Sequence, residues 1–308
     1  MKYRYVLVLV LLVAFFIYQG KTLLSPSKLT WTSINVCHTI QGDAHLISKE
    51  GKHYLIDTAT HREAPLYLVP YLKKHDIKKL DAILITHPHF DHYGGVVDMM
   101  ESNITVKTIY MNMPTRAQMD KEWWGGEYKH LITIQKFAKK HHTEILPITK
   151  GLKLAFDRKS YIDVRYIYDG IHTPVGETSI NDMSAITMIV DGKNRFLLTG
   201  DLDEKLGAYL AKHATDLKAD ILKVPHHAAT TLAPASFFKK VNPSAVIVPT
   251  TTSLWCSERC KGVRQLVQKE HYQTYINGFH GDITVTSYNN KYIISTEKSP
   301  KELCKEDE

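Results

Sequence analysis

The segment "DAILITHPHFDHYGG" (residues 81–95) joins a short apolar strand directly to three histidines and an aspartate. In extended backbone, side chains two positions apart point the same way, so His87, His89 and Asp91 can converge beyond the end of the strand. His92 would turn in beside Asp91. Imidazole nitrogens and carboxylate oxygens are ligands that suit zinc or manganese. The segment therefore predicts a metal site at the end of a buried strand.

Two later segments repeat this pattern of an apolar strand followed by ligand-type side chains. "RFLLTGD" ends at Asp201, and "ADILKVPHH" ends at His226 and His227. If these strands finish at the same edge of one sheet, their ligands meet the first motif and Asp201 bridges two cations. One histidine of the pair would complete the second cation site. Which one is left open, although alternation along a strand predicts that the two point in different directions.

The size and composition are those of a folded globular protein. Of the 308 residues, 44% are hydrophobic and 23% are charged, which argues against a disordered chain. The formal net charge of +7 favours an anionic partner such as a phosphate-rich polymer, a nucleic acid or lipid headgroups. A lysine-rich solvated surface accounts for the same charge, so the charge alone does not select a function.

The N-terminus, "MKYRYVLVLVLLVAFFIYQGK", predicts an export signal. Lys2 and Arg4 precede sixteen uncharged residues (5–20), and Lys21 follows them. We interpret the run as a hydrophobic helix with its positive end in the cytoplasm, either an uncleaved membrane anchor or a cleaved signal. We expect a bacterial protein, whose remaining residues would then lie outside the cytoplasm, anchored to the membrane or secreted.

The cysteines are few and scattered, at Cys37, Cys256, Cys260 and Cys304. In "CSERC", Cys256 and Cys260 either close a small disulfide in an exported protein or stand as neighbours on a helix. Neither spacing is that of a zinc ribbon. We therefore predict that cysteine carries none of the chemistry.

Strand-like segments dominate the chain, and helices are interspersed in both halves. Helices are predicted around residues 66–75, 128–142, 204–212 and 234–240. The C-terminal segment "GDITVTSYNNKYIIST" predicts a hairpin with Asn289 and Asn290 as its turn. This order favours two sheets packed together with helices outside. The other predicted strands are "TSINVCHTI", "DAHLIS", "KHYLIDT", "LDAILIT", "VKTIYM", "YIDVRYIYD", "SAITMIVDG", "RFLLTGD", "ADILKVP" and "SAVIVPT".

Six segments make the chain resemble the metallo-β-lactamase-fold hydrolases: "QGDAHLI", "LIDTA", "THPHFDHYGG", "SINDMSAITMIVDGKNRFLLTGDLD", "ILKVPHH" and "INGFHGDITVTS". The resemblance covers residues 35–296 and is to the branch with the competence DNA-uptake channel hydrolase domain and the phosphorylcholine esterases. It implies an α+β fold, an αββα four-layer sandwich, preceded here by one N-terminal hydrophobic helix. The chain then divides into a signal or anchor with its tether (1–28), the hydrolase domain (29–298) and a charged tail (299–308).

The resemblance also implies two divalent metal ions, with zinc expected and manganese as the alternative. Asp57 in "LIDTA" matches a buried aspartate behind the metals that orients a ligand histidine. Asp43 in "QGDA" is expected to be structural, at a hairpin near the site. The residues assigned to the metals are His87 and His89 for the first, Asp91, His92 and one of His226 and His227 for the second, and Asp201 between them.

The chain departs from the superfamily pattern at the first metal. Many members carry another histidine before the strand that corresponds to residues 184–190, whereas this chain has Asn181, Asp182 and Ser184 there. His172 lies nearby at a poor spacing and is a weak candidate for the missing ligand. The first metal is therefore expected to be held more loosely or to be completed by water.

A second departure concerns the substrate. Ala228 and Ala229 follow the paired histidines where the branch commonly has Gly-Ser, which removes a hydroxyl that could meet a phosphate oxygen. Thr230 or Thr231 is the candidate replacement. The tryptophans Trp123, Trp124 and Trp255 either form an aromatic wall for a cationic or sugar-bearing substrate or pack structurally.

These features predict an exported hydrolase that cleaves a phosphoric ester, a phosphodiester above all, through a metal-bridging hydroxide. Asp91 would orient the nucleophile, and the histidine that is not bound to metal, His226 or His227, would steady or protonate the leaving group. The substrate would be a cell-envelope polymer or headgroup. The alternatives are a nuclease acting on extracellular or incoming DNA, a hydrolase of a lactam or thioester, and a binding protein with a structural cluster.

Overall fold

The computed structural model describes residues 27–230, 232–300 and 302–304. The predicted N-terminal hydrophobic helix lies outside these residues, as do residues 301 and 305–308 of the predicted charged tail. Across the described ranges, no helix is long and apolar enough to cross a membrane.

Seventeen strands form in the described residues. They are β1 Leu29–Ser33, β2 His45–Lys49, β3 Lys52–Ile56, β4 Lys79–Leu80, β5 Ala82–Leu84, β6 Thr105–Val106, β7 Thr108–Tyr110, β8 Glu144–Leu146, β9 Lys153–Ala155, β10 Ser160–Tyr166, β11 Ile186–Asp191, β12 Asn194–Leu198, β13 Ile221–Lys223, β14 Ala245–Val248, β15 Gln273–Ile276, β16 Ile283–Tyr288 and β17 Lys291–Thr296.

These strands build two large mixed sheets. The first has eight strands in the order β17-β16-β1-β2-β3-β5-β7-β8, and the second has seven in the order β15-β14-β13-β12-β11-β10-β9. Each sheet is antiparallel at one end and parallel at the other. The short strands β4 and β6 pair separately.

The helices are α1 Val69–Lys74, α2 Phe90–Tyr93, α3 Val96–Glu101, α4 Arg116–Lys121, α5 Tyr128–Lys140, α6 Glu204–His213, α7 Ala235–Val241, α8 Thr252–Cys256, α9 Lys261–Lys269 and α10 Asn277–His280. Their local sequences explain their bounds. α4 begins at a capping box, in which Thr115 and Gln118 satisfy each other's backbone N–H groups. α5 buries Leu131, Ile134 and Ala138 on one face, at the spacing of a helix.

Three hydrophobic clusters divide the molecule into layers. The central cluster joins the two sheets, and in it the rings of Trp31 and Phe196 stack with centroids 5.9 Å apart. On the outer face of the eight-stranded sheet, residues such as Leu72 of α1 pack against strand residues. On the outer face of the seven-stranded sheet, residues such as Leu210 and Phe238 do the same. The predicted α+β arrangement of two sheets with helices outside is thus confirmed for the described residues.

The local predictions hold best where the pattern is long. The hairpin turn is confirmed, since Asn289 and Asn290 have φ angles of 49° and 58° between β16 and β17. The strand predicted at "TSINVCHTI" is displaced, because β1 ends at Ser33. The prediction also missed α9 and β15, whose segments are largely polar.

The cysteines pair differently from either expectation for "CSERC". Cys256 forms a disulfide with Cys304, with their Cα atoms 5.7 Å apart. Cys260 is a buried free thiol within the outer cluster of the seven-stranded sheet, as Cys37 is within the other outer cluster. The predicted disulfide between Cys256 and Cys260 is therefore wrong, because Cys260 faces the core while Cys256 faces the C-terminal segment.

Candidate metal centre

Three strand ends carry the predicted site residues, and they belong to two different sheets. β5 of the eight-stranded sheet leads into His87, whereas β12 and β13 of the seven-stranded sheet lead into Asp201 and the paired histidines. The backbone N–H of Ala185 donates to the carbonyl oxygen of Thr86 at 3.0 Å and joins the two sheets there. The prediction of a shared sheet edge is confirmed for β12 and β13, which are parallel neighbours, and is wrong for β5, whose ligands meet the others across the sandwich.

Four predicted residues form one buried group. The Oδ2 atom of Asp201 lies 3.2 Å from Nε2 of His92 and 3.2 Å from Nε2 of His227. Oδ2 of Asp91 lies 3.4 Å from Nε2 of His227, and one ligand atom from each of the four residues lies within 4.8 Å of the others. Ligands about 2.0–2.2 Å from a tetrahedral zinc ion stand roughly 3.3–3.6 Å apart, so this spacing fits one cation.

The far nitrogen of each ring in this group is anchored. Nδ1 of His92 lies 2.8 Å from Oδ2 of Asp57, and Asp57 accepts hydrogen bonds at 2.7 Å from both the backbone N–H and the hydroxyl of Thr86. Nδ1 of His227 donates to the carbonyl oxygen of Pro249 at 2.8 Å. Both Nε2 atoms are buried and have no hydrogen-bond partner. The rings are thus turned so that their second nitrogen faces the group, as metal-binding histidines are.

His87 and His89 stand beside this group and are not part of its closely spaced set. The ring of His87 lies 4.1 Å from that of His92 and 4.9 Å from that of His89, measured between centroids. The Nε2 atoms of His87 and His89 are also buried without a hydrogen-bond partner. Four unpartnered ring nitrogens in one buried region are a donor set that a pair of divalent cations would satisfy.

The paired histidines take different places for a reason that strand alternation does not supply. β13 ends at Lys223, and both histidines adopt left-handed backbone angles, with φ of 49° at His226 and 51° at His227. His227 is turned into the buried group. His226 is 21% exposed, and its Nδ1 lies 3.6 Å from Oδ1 of Asp203. The structure therefore separates the two rings through a turn rather than through the pleat of a strand.

Other residues singled out in the sequence lie elsewhere. His172 is 84% exposed and pairs with Asp169, so it does not join the group. Trp255 is buried in the outer cluster of the seven-stranded sheet, which excludes it from an aromatic wall. Trp123 and Trp124 are exposed and line a cleft of about 860 Å³ beside α2. Thr230 is exposed, and Thr231 lies outside the described residues.

Sequence reasoning missed Lys223, which is fully buried beside the group. Its ammonium contacts the carboxylate of Asp43, donates to the carbonyl oxygen of Gly200 at 2.9 Å and lies 3.5 Å from Oδ1 of Asp201. Asp43 also lies 3.5 Å from Nδ1 of His227, so it contributes to the site and is more than a hairpin residue. The signal was a lysine in the middle of the apolar segment "ADILKVP".

The family model described as "Metallo-beta-lactamase superfamily" matches residues 39–251, more than half of the chain. This chain belongs to that superfamily. Its relatives include competence proteins, as the resemblance predicted.

Three curated relatives have similar sequences, and one solved structure shares the fold. "Recombination protein 2" of Haemophilus influenzae is 28% identical over 72% of this chain, "Competence protein ComA" of Neisseria gonorrhoeae is 25% identical over 70%, and "Endoribonuclease YSH1" of Candida glabrata is 25% identical over 58%. The matches cover 24%, 26% and 24% of those proteins, so the chain spans about a quarter of their length. Unliganded yeast PDE1 shares the fold, with a TM-score of 0.51 and 12% identity over 86% of this chain and 100% of that chain.

Burial and mutual attraction set the charges of this buried group. Burial alone would lower the pKa of the two clustered histidines, but the Asp201 carboxylate raises the pKa of His92 well above its usual value and that of His227 to about 10. Burial would raise the pKa of Asp201, yet attraction to His227 and His92 holds it well below its usual range. Burial, together with His92, lowers the pKa of His87, so this ring is neutral and offers a lone pair.

We expect cations to bind this centre more tightly as the pH rises. The raised pKa values keep His92 and His227 protonated at neutral pH in the metal-free protein, so a cation must displace two protons. Between pH 6 and 8 the apparent association constant should rise by up to about 100-fold per pH unit. Calorimetric titration with zinc in buffers of different ionisation enthalpy measures the released protons. Affinity that is independent of pH, with no proton release, would contradict this charge assignment.

Proposed function

We propose that this chain is a metal-dependent hydrolase that cleaves a phosphoric ester, and in particular a phosphodiester. The observation that supports the proposal most is a set of four buried ring nitrogens that make no hydrogen bond, three of which lie 3.2 Å from a carboxylate oxygen of Asp201 or Glu122. Hydrolysis also agrees with membership of the superfamily. A purely structural cluster would not need to leave so many buried polar atoms without partners.

The centre would hold two cations, one in each of its two halves. Zinc fits the imidazole and carboxylate donors, and manganese is the alternative. When bound, such ions would supply Lewis acidity, lowering the pKa of water and offsetting negative charge on a phosphoryl group. The holding residues are His87 and His89 in one half, Asp91, His92 and His227 in the other, and Asp201 between them.

The chain's own side chains would then orient the attacking water and transfer protons. Asp91, with its carboxylate 3.4 Å from the His227 ring, is placed to orient the attacking water. His226 stands at the accessible side of the centre, next to Asp203. We assign His226 the delivery of a proton to the leaving oxygen, with Asp203 holding its ring. His227 is then the histidine of the pair that holds metal.

Replacing His226 by asparagine should lower kcat in a way that depends on the leaving group. General acid catalysis contributes about 10²–10⁴-fold, so we expect a loss of that order for an alkyl phosphodiester. A p-nitrophenolate leaving group needs no proton, and its loss should be much smaller. Metal content should be unchanged in H226N. H172N is the matched control, because His172 is also paired with an aspartate but is exposed elsewhere. Equal losses on both substrates would contradict the assignment.

The substrate would be an envelope polymer or headgroup outside the cytoplasm. The hydrophobic N-terminal sequence supports export. The Cys256–Cys304 disulfide supports the same location, because disulfides persist in oxidising compartments. This localisation is part of the proposal.

A nuclease is the second candidate, favoured by relatives named for recombination, competence and endoribonuclease activity and by the net charge of +7. The two are separated by assaying the full chain, loaded with zinc or manganese, on bis-p-nitrophenyl phosphate, p-nitrophenylphosphorylcholine, single-stranded DNA and a chromogenic cephalosporin. Cleavage of the first two supports the proposal. Preferential cleavage of DNA would establish the nuclease, and cleavage of the cephalosporin alone would overturn phosphoric ester hydrolysis.

A further inference from the structure

The first half of the centre lacks a donor that the second half has. The segment that carries a histidine in many superfamily members holds Asn181, Asp182 and Ser184 here. The amide of Asn181 donates to Asp203 at 3.4 Å, and the hydroxyl of Ser184 accepts the backbone N–H of Asp201 at 2.9 Å. Oδ1 of Asn181 is buried without a hydrogen-bond partner, but an amide oxygen is not among the usual ligands of zinc, which are cysteine, histidine and carboxylate. A carboxylate from another element is therefore the stronger candidate for the missing donor.

Glu122 comes from such an element, just after α4. Its Oε2 atom lies 3.2 Å from Nε2 of His89, and the two side chains are 14% and 8% exposed. The other carboxylate oxygen, Oε1, accepts the backbone N–H of Ile180 at 2.9 Å. Glu122 therefore ties His89 to the segment in which the histidine is absent.

The contact between Glu122 and His89 has the geometry of two ligands side by side. Although 3.2 Å separates the two atoms, Nε2 of His89 makes no hydrogen bond. The distance matches the roughly 3.3 Å expected between two donors of one tetrahedral cation. It also equals the distances from Asp201 to His92 and His227 in the second half.

Gly125 fixes this arrangement. A Cβ atom at position 125 would lie 2.2 Å from Cδ2 of His89, so only glycine lets the backbone after Glu122 pack against the ring. The N–H of Gly125 donates to the carbonyl oxygen of Glu122 at 2.8 Å. The carboxylate and the imidazole are thus held against each other by a short, closely packed loop.

We propose that Glu122 is a ligand of the first cation and replaces the histidine that this chain lacks. The inference rests on the proposed metal centre. It makes the first site a carboxylate-containing one, with His87, His89, Glu122 and the shared Asp201 as donors. The loop of Trp123 and Trp124 would then be tied to the occupancy of that site, since it follows Glu122 directly.

The test is metal binding by the E122Q variant, which keeps the size of the side chain and an oxygen that can accept from Ile180. Cobalt(II) titration, followed by the absorption spectrum and by metal analysis after dialysis, reads out each site without using activity. We expect two bound ions in the wild type. In E122Q one ion should remain tight and the other should weaken by at least about 100-fold, beyond the 10–100-fold typical of an outer partner.

Two further variants separate a ligand from a structural residue. E122H restores an imidazole donor, and we expect it to regain the second ion with an altered cobalt spectrum. E127Q is the matched control, because Glu127 lies in the same loop but is exposed and paired with Lys129. Two ions bound by E122Q with wild-type affinity and spectrum would overturn the inference. Absence of any bound ion in the wild type would instead overturn the proposed function, and the inference with it.

Discussion

Replacing Asp201 by asparagine is expected to lower kcat/KM by roughly 10³-fold and to reduce the bound metal. Its Oδ2 atom lies 3.2 Å from the ring nitrogens of both His92 and His227, so its negative charge lies in the middle of the group of ligands. Asparagine keeps the shape and removes the charge. Metal-assisted charge stabilisation is worth several kcal/mol. A loss of about 4 kcal/mol corresponds to a fall of roughly 10³-fold in rate.

The measurement is kcat/KM on bis-p-nitrophenyl phosphate together with metal content after dialysis. D191N is the matched control, because Asp191 is another buried carboxylate, paired with Lys49 at 3.1 Å and bonded to the hydroxyls of Ser160 and Ser287, on β11. D191N should lose stability and keep its metal and its activity per folded molecule. If D201N retained two ions and wild-type kcat/KM, the proposed centre would be refuted.

The candidate ligands could be predicted because each one follows an apolar strand directly in the sequence. The extended backbone expected over residues 87–91 is wrong, because Asp91 lies in α2 and the backbone N–H of His89 turns back to the carbonyl oxygen of His87 at 3.1 Å. The position of these ligands at the end of a strand nevertheless required only local information. The layered fold could also be predicted, since apolar strand segments recur between helical ones. In both cases the signal lies within a few consecutive residues.

The remaining features depend on contacts between distant segments. His226 and His227 adopt left-handed backbone after Pro225, so a rule for strands did not apply to them. Trp255 packs in the outer core, which decides between the aromatic wall and the structural packing that the sequence left open. Glu122 contacts His89 only because Gly125 lets the loop close on the ring. No local pattern encodes these placements.

Lys223 is the residue of this kind with the largest expected effect. Replacing it by methionine should destabilise the metal-free protein by about 3–5 kcal/mol, because the carboxylates of Asp43 and Asp201 lose a buried counter-charge. The attraction of Asp43 and Asp201 raises the pKa of Lys223 despite its burial, so the ammonium is charged at neutral pH. The free energy of unfolding in urea, measured without metal, gives this cost.

The same variant should gain more stability from metal than the wild type does. The Lys223 ammonium lies 3.5 Å from the carboxylate proposed to hold both cations, so it repels them. Removing it should increase metal-induced stabilisation, by a few kcal/mol at most given typical charge interactions in proteins. K49M is the control, because buried Lys49 pairs with Asp191 at 3.1 Å and Asp157 at 2.9 Å on another part of the sheet. K49M should lose stability, but bound metal should stabilise it by as much as it stabilises the wild type. If metal also stabilised K223M by no more than the wild type, Lys223 would neutralise Asp43 and have no influence on the cations.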